Sequence, residues 1–172
     1  FILALVMVLS GVNFGGIPEV RADAVNTQGS GTEEDPYIIR TEEDVNFMYE
    51  KMELDNQHFK FGADLEGEWF AGKEKRPLKG VIDGNGYKLN NYKKWFVSDV
   101  EEGSLIKNLN IIIPDDGIDT ILKDIKGTID NVTIELQQNI NWGELLEDLE
   151  ALLAVSTQST GKIINTQIIG DV

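Results

Sequence analysis

The chain has no cysteine and a single histidine, His58. Without cysteine, disulfide bonds, thiolate chemistry and cysteine-based zinc sites are all excluded. One histidine cannot form a histidine-rich metal site, and it leaves no readily available general base. His58 follows Asp55, Asn56 and Gln57, so we expect a surface or turn histidine at the point where a turn enters a strand.

Basic residues are scarce as well, because 15 lysines and arginines face 30 aspartates and glutamates, which gives a formal net charge of −15. A field of this sign repels phosphate backbones, so we expect no nucleic-acid partner. It also disfavours anionic membrane surfaces. It leaves room for Ca²⁺, which takes several oxygen ligands. The candidate calcium ligands are Asp115, Asp116 and Asp119, and no other cofactor is expected.

An unbroken apolar run occurs only at the start, from Phe1 to Leu9. The run is too short to span a bilayer. Ala22-Asp23-Ala24 follows as a small-x-small cleavage site, so residues 1–24 are predicted to be a secretory signal peptide. Neither an initiator Met nor a basic segment precedes Phe1, so we expect the signal to be incomplete at its start. After cleavage the chain is expected to have no membrane span.

A phrase built from glycine, apolar residues, asparagine and isoleucine recurs in the second half of the chain. Its copies are marked by Gly103 with Asn108, Gly127 with Asn131, and Gly161 with Asn165. A looser copy opens at Gly80, and successive glycines are 23, 24 and 34 residues apart. One strand and one turn cannot bury their own apolar face, so the copies must stack on one another. The sequence therefore predicts a solenoid of parallel β-helix coils, each with two apolar strands.

The asparagine of each phrase has a structural explanation. Asparagine tolerates the left-handed αL conformation and hydrogen-bonds its own backbone, so it suits the corner between two strands. We expect Asn108, Asn131 and Asn165 to stack and to bond one another as a ladder. The glycines mark the turns. The last gap is ten residues longer, and helical spacing at 142–153 predicts a short helical insertion.

The remaining organisation follows from composition and periodicity. Residues 25–35 are predicted to be a flexible lead-in, 36–77 an N-terminal cap, and 78–172 the coils. The cap contains a helix from Glu42 to about Leu54, with Thr41 as the N-cap residue and Asp44 as a shortened capping box. No polar unit covers the last strand, so either further coils follow Val172 or this end meets a partner.

Four segments together resemble the opening of bacterial secreted and surface proteins with GLUG-type repeats. The segments are 29–39, the helix after Thr41, Phe59–Leu65 and 80–89. The resemblance covers about residues 29–170 and implies a pectate-lyase-like, right-handed parallel β-helix. The Gly-Leu-Phe-Gly phrase expected near residues 95–97 is absent, which bears on the repeat subtype. Such modules resemble adhesin or stalk parts more often than enzymes, and the fold alone does not fix a function.

The sequence therefore favours a non-catalytic extracellular or cell-surface module of a bacterium, which is adhesin-like, a stalk or ligand-binding. Its expected partners are surface glycans or a host or cell-surface protein. Trp69, in a charged loop, is the candidate for stacking on a ligand, whereas Trp95 is expected in the core. No catalytic residue is assigned, because Asp83 and Asp130 share a face but lie two coils apart. The alternative is the N-terminal part of a carbohydrate-active protein, a polysaccharide lyase or hydrolase, whose catalytic coils lie beyond Val172.

Overall fold

The computed structural model describes residues 27–71, 73, 76–92, 97–114, 124–137 and 160–170. These residues form a mainly β structure with one α-helix and one 3₁₀ turn. In chain order the elements are β1 (Tyr37–Ile39), α1 (Glu42–Lys51), β2 (His58–Phe61), β3 (Leu65–Glu66), the 3₁₀ turn (Gly67–Phe70), β4 (Val81–Asp83), β5 (Lys88–Asn90), β6 (Asp99–Val100), β7 (Leu105–Ile113), β8 (Asp124–Ile125), β9 (Thr128–Leu136), β10 (Lys162–Ile164) and β11 (Gln167–Gly170).

Every strand pair in the described part of the chain is parallel, and the pairs form three tracts. The first tract runs β1, β2, β4, the start of β7, the start of β9, and β10. The second runs β3, β5, the end of β7, the end of β9, and β11. The third is β6 with β8, extended by a bridge from Leu78 to Val100. The sequence predicted two strands per repeat, and the short β6 before the long β7, like the short β8 before the long β9, follows that pattern. The prediction did not include the division of each long strand between two tracts.

In the register of the first tract, apolar and aromatic residues of successive copies lie opposite one another. One row of Cα partners runs through successive copies as Tyr37, Phe59, Ile82, Ile106, Ile129 and Ile163. Their separations along the chain are 22, 23, 24, 23 and 34 residues. The four middle members are each at most 3% exposed. A single hydrophobic core cluster includes side chains from all three tracts. Burying each of these side chains stabilises the fold by about 1.5–3 kcal/mol.

The long strands bend at their asparagines, which is why one strand serves two tracts. Side chains alternate in an ordinary strand, so buried positions fall two residues apart. In β7 the buried residues Ile106 and Leu109 are three apart, and in β9 so are Ile129 and Val132. An αL residue lies inside each interval, and this turn of the backbone returns the next apolar side chain to the core.

The predicted N-terminal helix is confirmed, and it ends at Lys51 rather than near Leu54. Thr41 accepts a hydrogen bond from the Asp44 N–H at 3.2 Å, and the Asp44 carboxylate accepts one from the Thr41 N–H at 3.1 Å, so the capping box is complete. Its stripe of Val45, Met48 and Tyr49 is buried against the core.

Residues 27–35, predicted to be a flexible lead-in, are hydrogen-bonded to the fold. The Ile38 N–H donates to the Gln28 carbonyl at 2.8 Å, and the His58 N–H donates to the Gly31 carbonyl at 2.9 Å. Gly29 and Gly31 have φ of 104° and 82°, so the segment turns back over β2. The predicted signal peptide and the predicted helix at 142–153 lie outside the described residues.

Candidate functional site

A shallow groove of about 280 Å³ lies over the outer surface of the first tract. Strands β2, β4 and β7 form its floor, and the loop at Glu33 and Glu34 forms its rim. Pro36, Val81 and Leu105 contribute apolar surface. The polar lining consists of Glu33, Glu34, His58, Lys60, Asp83 and Lys107.

The alternation of the strands places these side chains together. Phe59, Ile82 and Ile106 point into the core, so their neighbours on either side point outward. One outward row of Cα partners runs His58, Val81, Leu105 and Thr128. The next runs Lys60, Asp83, Lys107 and Asp130, which we call the charged row. Because neighbouring strands lie about 4.8 Å apart, opposite charges alternate along the charged row at that spacing.

Asp83 is the most constrained carboxylate of the groove. It accepts hydrogen bonds from the Asn85 N–H at 2.8 Å and from Asn108 Nδ2 at 3.0 Å, and Lys107 Nζ lies 3.5 Å from its other oxygen. Burial raises the pKa of Asp83. The hydrogen bonds from Asn108 and Asn85 and the charge of Lys107 together lower it by more than burial raises it, so the pKa of Asp83 lies below its ordinary value. Asp83 is therefore held as a carboxylate, which is a poor state for a general acid.

Lys60 and His58 line the groove, and in contrast to Asp83 their side chains lack partners within the described residues. Lys60 lies across from Asp83 in the register, yet Asp83 pairs with Lys107. Both Lys60 and His58 are half-buried. Neither side chain makes a hydrogen bond or an ion pair within the described residues. The groove thus contains a lysine and a histidine side chain without partners among the described residues.

The asparagines predicted at the corners adopt the αL conformation, with φ of 53° at Asn108, 53° at Asn131 and 51° at Asn165. Their amides form a chain of contacts that differs from a pure asparagine ladder. Asn131 Nδ2 donates to Asn108 Oδ1 at 2.9 Å. Asn108 and Asn165 instead donate to the carboxylates of Asp83 and Asp130, at 3.0 and 2.9 Å.

The choice of acceptor follows from the preceding residue of the neighbouring strand. Where that residue is an aspartate, as at Asp83 and Asp130, the amide turns to the carboxylate, because a charged acceptor forms the stronger hydrogen bond. Where it is Lys107, whose side chain has no acceptor, the Asn131 amide donates to the Asn108 amide oxygen. Asp83 and Asp130 are thereby members of the corner ladder.

The three glycines of the phrase have two different roles. Gly103 has φ of 83°, and a Cβ added there would meet no atom within 4 Å, so this glycine provides a left-handed turn. A Cβ at Gly127 would lie 2.4 Å from the Ser104 carbonyl oxygen, and one at Gly161 would lie 2.4 Å from the Gly127 carbonyl oxygen. At these two positions glycine lets successive copies approach closely.

The other site candidates are not brought together. Trp69 is half-buried and packs against the hydrophobic core at the 3₁₀ turn, outside the groove. Asp115, Asp116, Asp119 and Trp95 lie outside the described residues. Among the residues that are described, no group of three or more histidine, aspartate or glutamate side chains is placed to hold a metal ion.

The groove is not predictable from the sequence, because its lining residues come from distant segments. The sequence places Glu33 and Glu34 in the lead-in and predicts a surface or turn position for His58. The alternation of His58-Phe59-Lys60-Phe61 did signal that His58 and Lys60 share an outward face. The glycines at 29 and 31 signalled a turn, but no spacing rule indicated that the turn lies over β2.

Comparison of the chain with protein-family models, with curated proteins and with solved structures finds no match. In the described residues, no helix is long and apolar enough to cross a bilayer. The groove and the corner ladder are therefore the observations on which a function must be argued.

Proposed function

We propose that this chain is a right-handed parallel β-helix module of the bacterial cell surface or extracellular space, which binds a ligand and does not catalyse a reaction. The proposal rests mainly on Asp83 and Asp130, because the carboxylates of both residues accept hydrogen bonds from corner asparagines. These acids support the stacking of successive copies.

The β-helix part of the proposal is supported by the pairing order. Each copy pairs in parallel with the next in two tracts, and most separations are 22 to 24 residues. Parallel strands joined by a crossover in one sheet are right-handed in about 98% of cases. The αL asparagines supply a corner between the first two tracts in every copy from β7 onward.

The absence of catalysis is supported by the geometry of the charged row. Two carboxylates that hydrolyse a glycosidic bond by inversion flank an open gap for water, and one of them must be protonated. Lys107 lies between Asp83 and Asp130 in the register and pairs with Asp83 at 3.5 Å. The lowered pKa of Asp83 also opposes a role as acid.

The location is supported by the sequence. The apolar run and the small-x-small site of residues 1–24 match a secretory signal. The segments that resemble GLUG-type surface proteins point the same way. An adhesin-like or stalk role places a rigid stack of strands between the cell and its surroundings, and the groove provides a ligand-binding surface on that stack.

A polysaccharide assay tests the function. The chain is incubated with acidic and neutral polysaccharides, and new reducing ends and unsaturated products are measured. The proposal predicts no products from any of the polysaccharides. Turnover that disappears in the Asp83→Asn/Asp130→Asn variant would instead refute the non-catalytic assignment.

An export assay tests the location. Two chains are expressed in a bacterium, each preceded by Met-Lys-Lys, one starting at Phe1 and the other at Val25. We expect the first to be processed and exported and the second to stay in the cytoplasm. Retention of both chains in the cytoplasm contradicts the extracellular assignment.

A further inference from the structure

Lys60 stands out among the lysines of the described residues. The other half-buried ones all have partners: Lys51 lies over the Phe47 ring, Lys73 contacts Asn46, and Lys107 pairs with Asp83. Lys60 is half-buried without such a partner, and it lines the groove. An ammonium group that no carboxylate of the protein neutralises can form a charge-assisted hydrogen bond with an anion of a ligand. The groove therefore offers a position for an anionic group of a ligand.

The rim of the groove carries the opposite charge. Glu33 and Glu34 are exposed, and no ion pair within the described part of the chain engages them. Asp83 and Lys107 neutralise each other at 3.5 Å. The unpaired charges that remain are one ammonium group on the floor and two carboxylates on the rim. A simple anion would be repelled by the rim, and a simple cation would be repelled by Lys60.

The floor between these charges is apolar. Val81 and Leu105 are adjacent partners in the outward row and are half-buried, and Pro36 also lines the groove. A groove of about 280 Å³ is at the lower limit of small-molecule sites. Pockets that bind small molecules combine apolar surface with a few polar groups that fix orientation.

We infer that the groove binds a small zwitterion, an α-amino acid or a short peptide. Its carboxylate lies at Lys60 beside His58, its ammonium group lies at Glu33 and Glu34, and its apolar side chain lies over Val81 and Leu105. This inference names the ligand class of the binding module proposed above and rests on that proposal.

Ligands that differ only in charge test the inference. The ¹⁵N-labelled full chain is titrated with leucine, with leucyl-leucine, with N-acetyl-leucine and with leucinamide, and amide shifts are followed by NMR. We expect leucine or leucyl-leucine to shift the amides of residues 58–60, 81–83 and 105–107. Removing either ligand charge is expected to weaken binding about tenfold, since a charge-assisted contact is lost. The two zwitterions distinguish a free amino acid from a peptide.

Variants assign each ligand charge to its partner. Lys60→Met is expected to abolish the preference for leucine over leucinamide, and Glu33→Gln/Glu34→Gln the preference for leucine over N-acetyl-leucine. Lys88→Met is the matched control, because Lys88 is exposed and outside the groove. Equal affinity for all four ligands, or shifts outside the groove, overturns the inference. That result leaves the non-catalytic module intact, whereas polysaccharide turnover refutes the module itself.

Discussion

Replacement of Asn131 separates the two reasons for an asparagine at the corner. Asn131 has φ of 53°, and its amide donates to Asn108 Oδ1 at 2.9 Å while the residue remains exposed. Alanine at this position loses the hydrogen bond, at about 0.5–1.5 kcal/mol. It also lacks the short polar side chain that lets asparagine tolerate the αL region, where a residue with a Cβ is strained by about 1–2 kcal/mol. Since asparagine itself carries part of that strain, we expect Asn131→Ala to be destabilised by about 2 kcal/mol.

Glycine at the same position isolates the backbone contribution. Asn131→Gly loses the same hydrogen bond but tolerates a positive φ, and it adds about 0.4–1 kcal/mol of chain entropy to the unfolded state. The lost hydrogen bond and the added chain entropy destabilise the fold, while relief of the αL strain partly offsets them. We therefore expect Asn131→Gly to lose about 1 kcal/mol of stability, less than Asn131→Ala. Urea unfolding followed by circular dichroism measures both free energies of unfolding. The reasoning is refuted if alanine is tolerated as well as glycine or better.

Three further perturbations test the same structure. Gly127→Ala is expected to lose about 2–3 kcal/mol of stability, because its Cβ would lie 2.4 Å from the Ser104 carbonyl oxygen. Gly103→Ala meets only backbone strain and should lose about 1 kcal/mol. Thermal unfolding compares the two variants, and equal losses would contradict the close approach at Gly127. Because the folded pKa of Asp83 is lowered, its carboxylate stabilises the fold above the ordinary aspartate pKa of about 4, and this stability is lost as pH falls through the lower folded pKa. The wild type should therefore lose more stability between pH 5 and pH 2 than Asp83→Asn. Urea midpoints across that range measure the difference, and parallel curves for the two proteins would refute it. Thr41→Ala should lower the free energy of unfolding by about 1 kcal/mol, because α1 loses its N-cap, whereas Thr41→Ser should change it very little. Equal urea midpoints for the two variants would show that the capping box does not stabilise the helix.

Local chemistry made part of this fold predictable from sequence. The αL tolerance of asparagine and the repeat of its phrase led to Asn108, Asn131 and Asn165 as corner residues, and all three have positive φ. Thr41 and Asp44 led to a capping box, because a hydroxyl and a carboxylate three residues apart satisfy helix N–H groups within one turn. Each of these features depends on a few neighbouring residues.

The rest depends on register, which the sequence carries only weakly. The strands β6 and β8 have two residues each, too few for any periodicity to be read. The acceptor of each corner amide depends on whether Asp83, Lys107 or Asp130 lies on the neighbouring strand. The groove requires a turn of the lead-in to bring Glu33 to the same groove as Lys60. A shift of one residue in the pairing would have put Lys60 in the core and Phe59 outside.

Successive copies of the repeat pair in parallel and in register, and the groove and the corner ladder both depend on this pairing. The chain has no cysteine, so an engineered pair gives an unambiguous cross-link. Asn110 and Thr133 are Cα partners, and Lys88 lies one strand further along the same row. Partners about 4.8 Å apart can form a disulfide, but residues about 10 Å apart, beyond the limit of roughly 7 Å, cannot. Oxidation should therefore cross-link Asn110→Cys/Thr133→Cys and leave Lys88→Cys/Thr133→Cys reduced, and the reverse outcome, or no cross-link in either, would contradict the parallel register.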